Sequence, residues 1–157
     1  MFSEDLVNEL VLQSNLFKHQ NNIKNDDVNL QEMHLLIAAI IRMGIMKLPQ
    51  RHLYWSRICK TNFISECMNS RRFKQLFSFL HMNDNTVPSD DKLYKIRLLI
   101  TNLNKTFESA VKYAKKYSVD ESIVLFRGKN ILKRYLPGKP HKYGFKIEQL
   151  CHRSGYC

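Results

Sequence analysis

Asp120 is the residue of this chain whose type and setting most directly suggest catalytic chemistry. It is the last Asp of the sequence, and it lies in the strand-like, mostly apolar run 117–126. An Asp in an apolar strand has two interpretations: it pairs with a nearby Lys or Arg, or it binds a metal ion at the surface of a sheet. The residue alone leaves both interpretations open.

The carboxylates that follow Asp120 are too few for a two-metal site that cleaves phosphodiesters. Such a site needs carboxylates from several elements that converge on two Mg²⁺ ions about 4 Å apart. The only others are Glu121 and Glu148. Glu121 should point away from Asp120, because neighbours on a strand face opposite ways, and Glu148 stands among polar residues, where an exposed role is the simpler account. We therefore expect no complete metal site, no cofactor and no turnover for this chain.

Positive charge is concentrated towards the end of the chain. The formal net charge is +11, yet residues 1–33 carry six acidic and two basic side chains, a balance of −4. Residues 127–147 hold seven Lys or Arg and no Asp or Glu. Cations placed at phosphates release counterions, so DNA is a natural partner, although charge alone is equally compatible with a solvated basic face. The candidate DNA-binding residues are Arg127, Lys129, Lys133, Arg134, Lys139, Lys142 and Lys146.

The cysteines and histidines supply no second metal site. The four cysteines show no CxxC pair and no Cys/His spacing typical of zinc. Without a secretory signal we expect reduced thiols, with Cys59 and Cys67 acting as small buried apolar groups. None of the six histidines completes the Asp120 site, and His141 is expected to be a neighbour of the basic loops.

Apolar spacing predicts helices before residue 118 and strands after it. Asn29 and Glu32 form a capping-box pattern, and the helix behind them carries apolar residues on all its faces, so we expect it to be buried nearly all round. A second amphipathic helix should begin near residue 69 and bury Phe77. A stripe from Leu93 to Ala114 predicts a central packing helix of roughly 25 residues. From residue 118 the period falls towards two, which predicts three strands.

No segment suits a membrane span or a signal peptide. The longest apolar stretch, 35–46, is interrupted by Arg42 and is shorter than the ~20 residues that cross a bilayer. Acidic residues occupy the N-terminus, where a signal peptide needs basic ones. We expect a nuclear protein, or a cytoplasmic one if it lacks an import signal, with no membrane partner.

Several blocks of this sequence resemble the piggyBac transposase family. Residues 41–49 end in Leu-Pro before a Tyr-Trp pair, and the run around Asp120 is followed by Arg-Gly-Lys and then Tyr-Leu-Pro-Gly-Lys-Pro, as at the start of that family's catalytic domain. Together the blocks extend from about Leu30 to Tyr156 in the family's order. The matching blocks are 41–49, 54–56, 68–73, 80–85, 91–97, 117–129, 135–140 and 141–146.

The resemblance implies an α+β fold, in which an N-terminal helical region is followed by a partial RNase H-like β-meander. We divide the chain into an acidic helical segment at 1–28, a helical dimerisation and DNA-binding-like region at 29–117, and the first strands of the catalytic domain at 118–157. Members of the family excise and integrate DNA at TTAA sites with three aspartates and Mg²⁺, and they usually carry a Cys-rich zinc domain. Asp120 matches the first aspartate, whereas the other two and the zinc domain have no counterpart in this sequence.

Three hypotheses about function follow. The first is a transposase-derived DNA-binding protein without turnover, in which Asp120 is a vestigial catalytic and metal-binding position. The second is the N-terminal part of an active cut-and-paste DNA transposase, whose remaining carboxylates and Mg²⁺ site lie outside this chain. The third is an inert or protein-interaction fragment. The resemblance to a dimerisation region also suggests a homodimer.

Overall fold

The structure, a computed structural model, describes residues 2–59, 62–110 and 116–152. The chain divides into two compact units, residues 1–106 and 107–157. Helices come first and a three-stranded antiparallel sheet comes last, which confirms the predicted α+β class. The functional roles assigned to 1–28, 29–117 and 118–157 stay predictions.

The elements of the described residues follow one another in this order. They are α1 (Glu4–Gln20), α2 (Leu30–Ile45), a 3-10 helix (Arg51–Trp55), α3 (Asn62–Cys67), α4 (Ser70–Phe79), α5 (Tyr94–Ala110), β1 (Tyr117–Leu125), β2 (Arg134–Tyr135) and β3 (Tyr143–His152).

Polar side chains of α1 hold the loop that leads to α2. Asn15 binds Val28 twice, since its amide donates to the Val28 carbonyl at 3.0 Å and its oxygen accepts from the Val28 N–H at 2.8 Å. Lys18 is only 4% exposed. Its ammonium donates to the Asn25 carbonyl at 2.8 Å and forms an ion pair with Asp27. The buried charge is thus paired and hydrogen-bonded, as burial of a Lys requires.

The predicted capping box at the start of α2 is confirmed. The Asn29 side chain accepts from the Glu32 N–H at 2.8 Å, and the Glu32 carboxylate accepts from the Asn29 N–H at 3.4 Å. Arg72 of α4 donates to both carboxylate oxygens of Glu32, at 2.7 and 2.8 Å. This hydrogen bonding holds the pKa of Glu32 below its ordinary value. One carboxylate therefore caps α2 and ties it to α4.

The core of the first unit lies between α1, α2 and α4. Only one side of α2 contributes to it, because Ile41 and Ile45 remain 48% and 70% exposed. The expectation that α2 is buried nearly all round is therefore wrong, since the described helices cover one of its faces. The buried cluster comprises Val7, Leu10, Val28, Met33, Leu36, Ala39, Phe73, Leu76 and Phe79.

Helix α4 begins where the sequence predicted. The Asn69 side chain caps it by accepting from the Arg72 N–H at 2.8 Å. Phe77 was expected in the buried line, but it is 44% exposed and stacks on Phe73 with ring centroids 5.8 Å apart. Phe79 is fully buried instead, which rotates the apolar face towards the i, i+3, i+6 positions.

The Tyr-Trp pair of the 3-10 helix bonds to two different parts of the main chain. The Tyr54 hydroxyl is the acceptor for the Leu48 N–H at 3.1 Å, and the Tyr54 side chain is buried. The Trp55 indole N–H donates to the Met68 carbonyl at 2.9 Å. Tyr54 thus satisfies a main-chain group of the Leu-Pro turn, whereas Trp55 ties the 3-10 helix to the segment between α3 and α4.

Helix α5 is less buried than predicted. None of its 17 described residues is buried, and the stripe residue Ala114 lies outside the described residues. Ile96 is 41% exposed, and Leu103 is half-buried. The expectation of a central packing helix is thus wrong for the described part of the stripe. The spacing is amphipathic, but spacing cannot show whether an element of this chain covers the apolar side.

The sheet has the order β1-β3-β2, so the central strand is β3 and the predicted meander connectivity is wrong. The reason is length. β2 has two residues and pairs with one end of β3, whereas β1 and β3 pair along the whole of β1. Gly144 is buried where the strands meet, and the position requires a glycine because a Cβ there would overlap the Val124 carbonyl oxygen.

The described cysteines differ in their bonding, and the described helices do not suit a membrane. Cys59 and Cys67 are free, as predicted, but only partly buried. Cys151 is disulfide-bonded, so the expectation of reduced thiols is wrong there. No described helix has the length and apolarity needed to span a bilayer.

Candidate nucleic-acid interface

Asp120 lies exposed on β1, opposite Gln149 of β3. One of its carboxylate oxygens accepts from the Glu121 N–H at 2.7 Å. Asp120 forms no ion pair with any described residue, and within the described residues no three His, Cys, Asp or Glu are grouped so that they could hold a metal. A lone exposed carboxylate does not fit a pair of Mg²⁺ ions, which need several converging carboxylates.

Glu121 and Glu148 form an ion-pair cluster on the other face of the sheet. They lie directly opposite one another in the β1–β3 register. The Lys146 ammonium contacts Glu121 at 2.6 Å and Glu148 at 3.1 Å. Hydrogen bonding to Glu121, and then to Glu148, raises the pKa of Lys146. Both glutamates thus have a structural partner; Glu121 points away from Asp120, as strand alternation predicted, and Glu148 is exposed, as expected.

Two basic turns lie at one end of the sheet: residues 126–133, between β1 and β2, and residues 136–142, between β2 and β3. The Phe126 N–H donates to the Tyr143 carbonyl at 3.4 Å, and the Leu136 N–H donates to the Lys142 carbonyl at 2.8 Å. The Lys133 ammonium donates to the Gly128 carbonyl at 2.7 Å. These bonds bring the segment after β1 and the segment before β3 together at one end of the sheet.

A cleft of about 360 Å³ lies between these turns. It brings together three of the seven predicted DNA-binding residues, Arg127, Lys133 and Lys142. Lys129, Arg134 and Lys139 are exposed nearby in sequence but do not line it, and Lys146 is held by the two glutamates. The full lining is Leu125, Arg127, Lys133, Pro140, His141, Lys142 and Tyr143.

Two tyrosines beside the cleft were missed as candidate site residues. Tyr135 of β2 and Tyr143 of β3 are register partners with ring centroids 4.9 Å apart. Their side chains are 56% and 50% exposed. The Lys133 ammonium lies 5.5 Å from the centre of the Tyr143 ring. The sequence did contain a signal for this pair: one Tyr stands directly before the second basic turn and one directly after it, and both occupy strand positions.

The arrangement offers cations and aromatic surface rather than reactive groups. Arg127, Lys133 and Lys142 can meet phosphate oxygens, and neither carboxylate of the sheet's ion-pair cluster lines the cleft. His141 adds a ring nitrogen to the same wall. The geometry suits binding of a polyanion.

The match to known proteins extends over the whole chain. The model of a family described as Transposase IS4 matches residues 1–157. The human PiggyBac transposable element-derived protein 2 is 29% identical over 149 residues, which is 93% of this chain and 25% of that protein. The human PiggyBac transposable element-derived protein 3 is 29% identical over 151 residues, with 94% and 25% covered. The chain thus spans about a quarter of the length of these curated relatives.

The fold is also found in a solved transposase. A cryo-EM structure of the piggyBac transposase synaptic complex with hairpin DNA superposes with a TM-score of 0.78 at 20% identity. The alignment covers 97% of this chain and 34% of that one. The family match over all residues shows that the chain belongs to the Transposase IS4 family, and its relatives in sequence and in fold are piggyBac proteins.

Proposed function

We propose that this chain binds duplex DNA through phosphate contacts of its basic turns and does not itself cleave or join DNA. The observation that carries the proposal is the cleft in which Arg127, Lys133 and Lys142 converge. Family membership makes DNA the polyanion of choice, and the similar transposase was solved in complex with DNA.

We assign phosphate contacts to six of the seven predicted cations. Lys146 is left out because Glu121 and Glu148 already neutralise it. The other six form no ion pair with a described residue, so their charge is available to phosphates. Phosphate contacts position a protein on DNA without reading bases, and sequence preference should therefore be weak.

The absence of turnover is proposed from the setting of Asp120. We assign it the first metal-binding aspartate position of the family, and one carboxylate cannot by itself hold two divalent ions.

A second candidate function is favoured by one observation: the chain spans about a quarter of the length of its relatives. In that case the chain contributes Asp120 to a transposase whose other carboxylates lie outside it. We further propose a nuclear location and leave a homodimer as an expectation.

The test is a double substitution in the basic turns. Lys133→Ala with Arg134→Ala should weaken binding to every duplex alike and reduce the slope of log K against log salt by up to about 2. Fluorescence anisotropy with a labelled duplex measures both quantities. Because Lys133 also holds the Gly128 turn, a second double variant is needed. Lys129→Ala with Lys139→Ala removes two exposed cations whose side chains bond to no described residue.

A matched control separates a local site from an effect of net charge. Arg71→Ala with Lys74→Ala removes two exposed cations from α4, in the first unit. The proposal expects a much smaller loss of affinity than in either basic-turn variant. Equal losses in all three, or none in the basic-turn variants, would contradict it and make the segment a solvated basic face.

A further inference from the structure

We infer that the Tyr135–Tyr143 pair is a stacking platform for unpaired nucleotides, set beside a phosphate-binding cleft. The inference deepens the proposed function, on which it rests, by assigning a substrate class to this end of the sheet. Its starting observation is that two aromatic side chains are half exposed on adjacent strands, where burial would otherwise be favourable.

The geometry of the pair leaves ring surface free. The rings are 4.9 Å apart between centroids and inclined by 39°, so they support one another without covering each other completely. The short strand β2 has no other role in the described sheet than to pair with this end of β3. The pairing fixes Tyr135 opposite Tyr143 and therefore presents both rings on one face.

Tyr143 joins the aromatic surface to the cationic one. It belongs to the pair and also lines the cleft with Arg127 and Lys142. Lys133 lies 5.5 Å from its ring centre and is fixed by the Gly128 carbonyl. A base stacked on the tyrosines would thus have cations in the adjoining cleft to meet its phosphate. This combination of an aromatic platform and a basic groove is the arrangement that binds single strands without sequence preference.

The size of the cleft agrees with a ligand of nucleotide scale. Its volume of about 360 Å³ lies at the lower end of the roughly 300–1,000 Å³ typical of small-molecule sites. In a duplex, both faces of an internal base are already covered by its neighbours, so only unpaired or terminal bases can stack on the tyrosines. The ligand expected at the tyrosine pair is therefore a single-stranded segment, or the unpaired end of a duplex, whereas the interior of a duplex can contact only the cations of the basic turns.

The experiment compares oligonucleotides that carry equal phosphate charge. The unmodified chain is titrated with labelled oligothymidylate, with an abasic strand of the same length, and with a blunt duplex. Stacking predicts that the thymidylate strand binds roughly 5- to 100-fold more tightly than the abasic strand. Equal affinity for the two strands would overturn the inference while leaving the phosphate-binding function intact. No binding to any of the three would overturn both.

Variants at the two tyrosines assign the effect to the platform. Tyr135→Leu with Tyr143→Leu keeps apolar side chains in both strands but removes the aromatic faces, so the preference for thymidylate over the abasic strand should disappear. Tyr135→Phe with Tyr143→Phe keeps the faces and should retain the preference. If the Leu variant kept the preference, or the Phe variant lost it, the tyrosine pair would not be the platform.

A covalent readout that does not depend on relative affinity completes the test. Strands containing 5-iododeoxyuridine cross-link under ultraviolet light to aromatic side chains on which the base stacks. Mass spectrometry of the cross-linked unmodified chain should identify Tyr135 or Tyr143. Cross-links confined to other residues would overturn the assignment.

Discussion

At the scale of single residues, the role of a charged side chain depends more on its surroundings than on its residue type. Asp120 and Glu121 are adjacent carboxylates, yet among the described residues only Glu121 has a cationic partner, because Lys146 lies on its face of the sheet. Lys146 was predicted as a DNA contact because residues 127–147 contain no Asp or Glu. Its ion pair with Glu121 arises from the pairing of β1 with β3, which the local sequence does not reveal, whereas Glu148 lies two residues further along the same strand and on the same face.

Asp120 should not support DNA cleavage in this chain. With Mg²⁺ or Mn²⁺ we expect no nicking or strand transfer on a terminal-repeat duplex, because one carboxylate cannot hold two ions. Asp120→Asn should consequently change nothing in a gel assay of labelled duplex. Metal-dependent nicking that disappears in the Asn variant would contradict the prediction.

The Glu32–Arg72 pair should contribute to stability in a pH-dependent way. The hydrogen bonds from Arg72 lower the pKa of Glu32 from its ordinary value of 4.5. A lowered pKa in the folded state means that the contribution is present above about pH 4.5 and is lost as the pH falls through the lower folded-state value. Arg72→Ala should cost about 1–3 kcal/mol near neutral pH, because a half-buried carboxylate loses a charged hydrogen-bond partner.

Urea unfolding at several pH values measures this contribution. Arg71→Ala is the matched control, since Arg71 is the exposed neighbour of Arg72 on the same helix. The control should lose little at any pH. The prediction fails if the two variants are equally stable, or if the cost of Arg72→Ala does not decrease on acidification.

At the scale of elements, caps were predictable and burial was not. The Asn29–Glu32 box and the Asn69 cap were predicted correctly, because capping depends on residues within one turn. The extent of burial of α2 and α5 was overestimated. An apolar face indicates that a helix can pack, but whether it does depends on elements distant in sequence. The strand order was predicted wrongly for a different reason: the two-residue β2 is too short to be recognised from a period of two.

A comparison of two Leu→Ala substitutions tests the difference in burial. Leu36 of α2 is fully buried, whereas Leu103 of α5 is only partly buried. Leu36→Ala should destabilise by about 2–5 kcal/mol, and Leu103→Ala by less than half as much, because a partly exposed side chain leaves no closed cavity. Thermal or urea unfolding supplies both values. Equal losses would mean that α5 is packed as fully as α2.

At the scale of the whole molecule, the sequence allowed the family and the charge asymmetry to be predicted, but not the interface. The order of blocks from residue 41 to residue 146 was sufficient for the family, since each block is a local string. The cleft was not predictable, because it forms only when the turn after β1 meets the turn before β3. Tyr135 and Tyr143 were missed for the same reason: their pairing is a property of the sheet register.

The salt dependence of duplex binding tests the proposed function most directly. We expect log K to fall linearly with log salt, with a slope of about −3 if three or four cations engage and about −5 if all six do. The measurement is anisotropy of a labelled blunt duplex from low to physiological salt, repeated with a second duplex of unrelated sequence. Equal slopes and similar affinities for both duplexes are the expected result. A slope near zero, or no binding at low salt, would contradict the proposal that this chain binds DNA through the phosphate contacts of its basic turns.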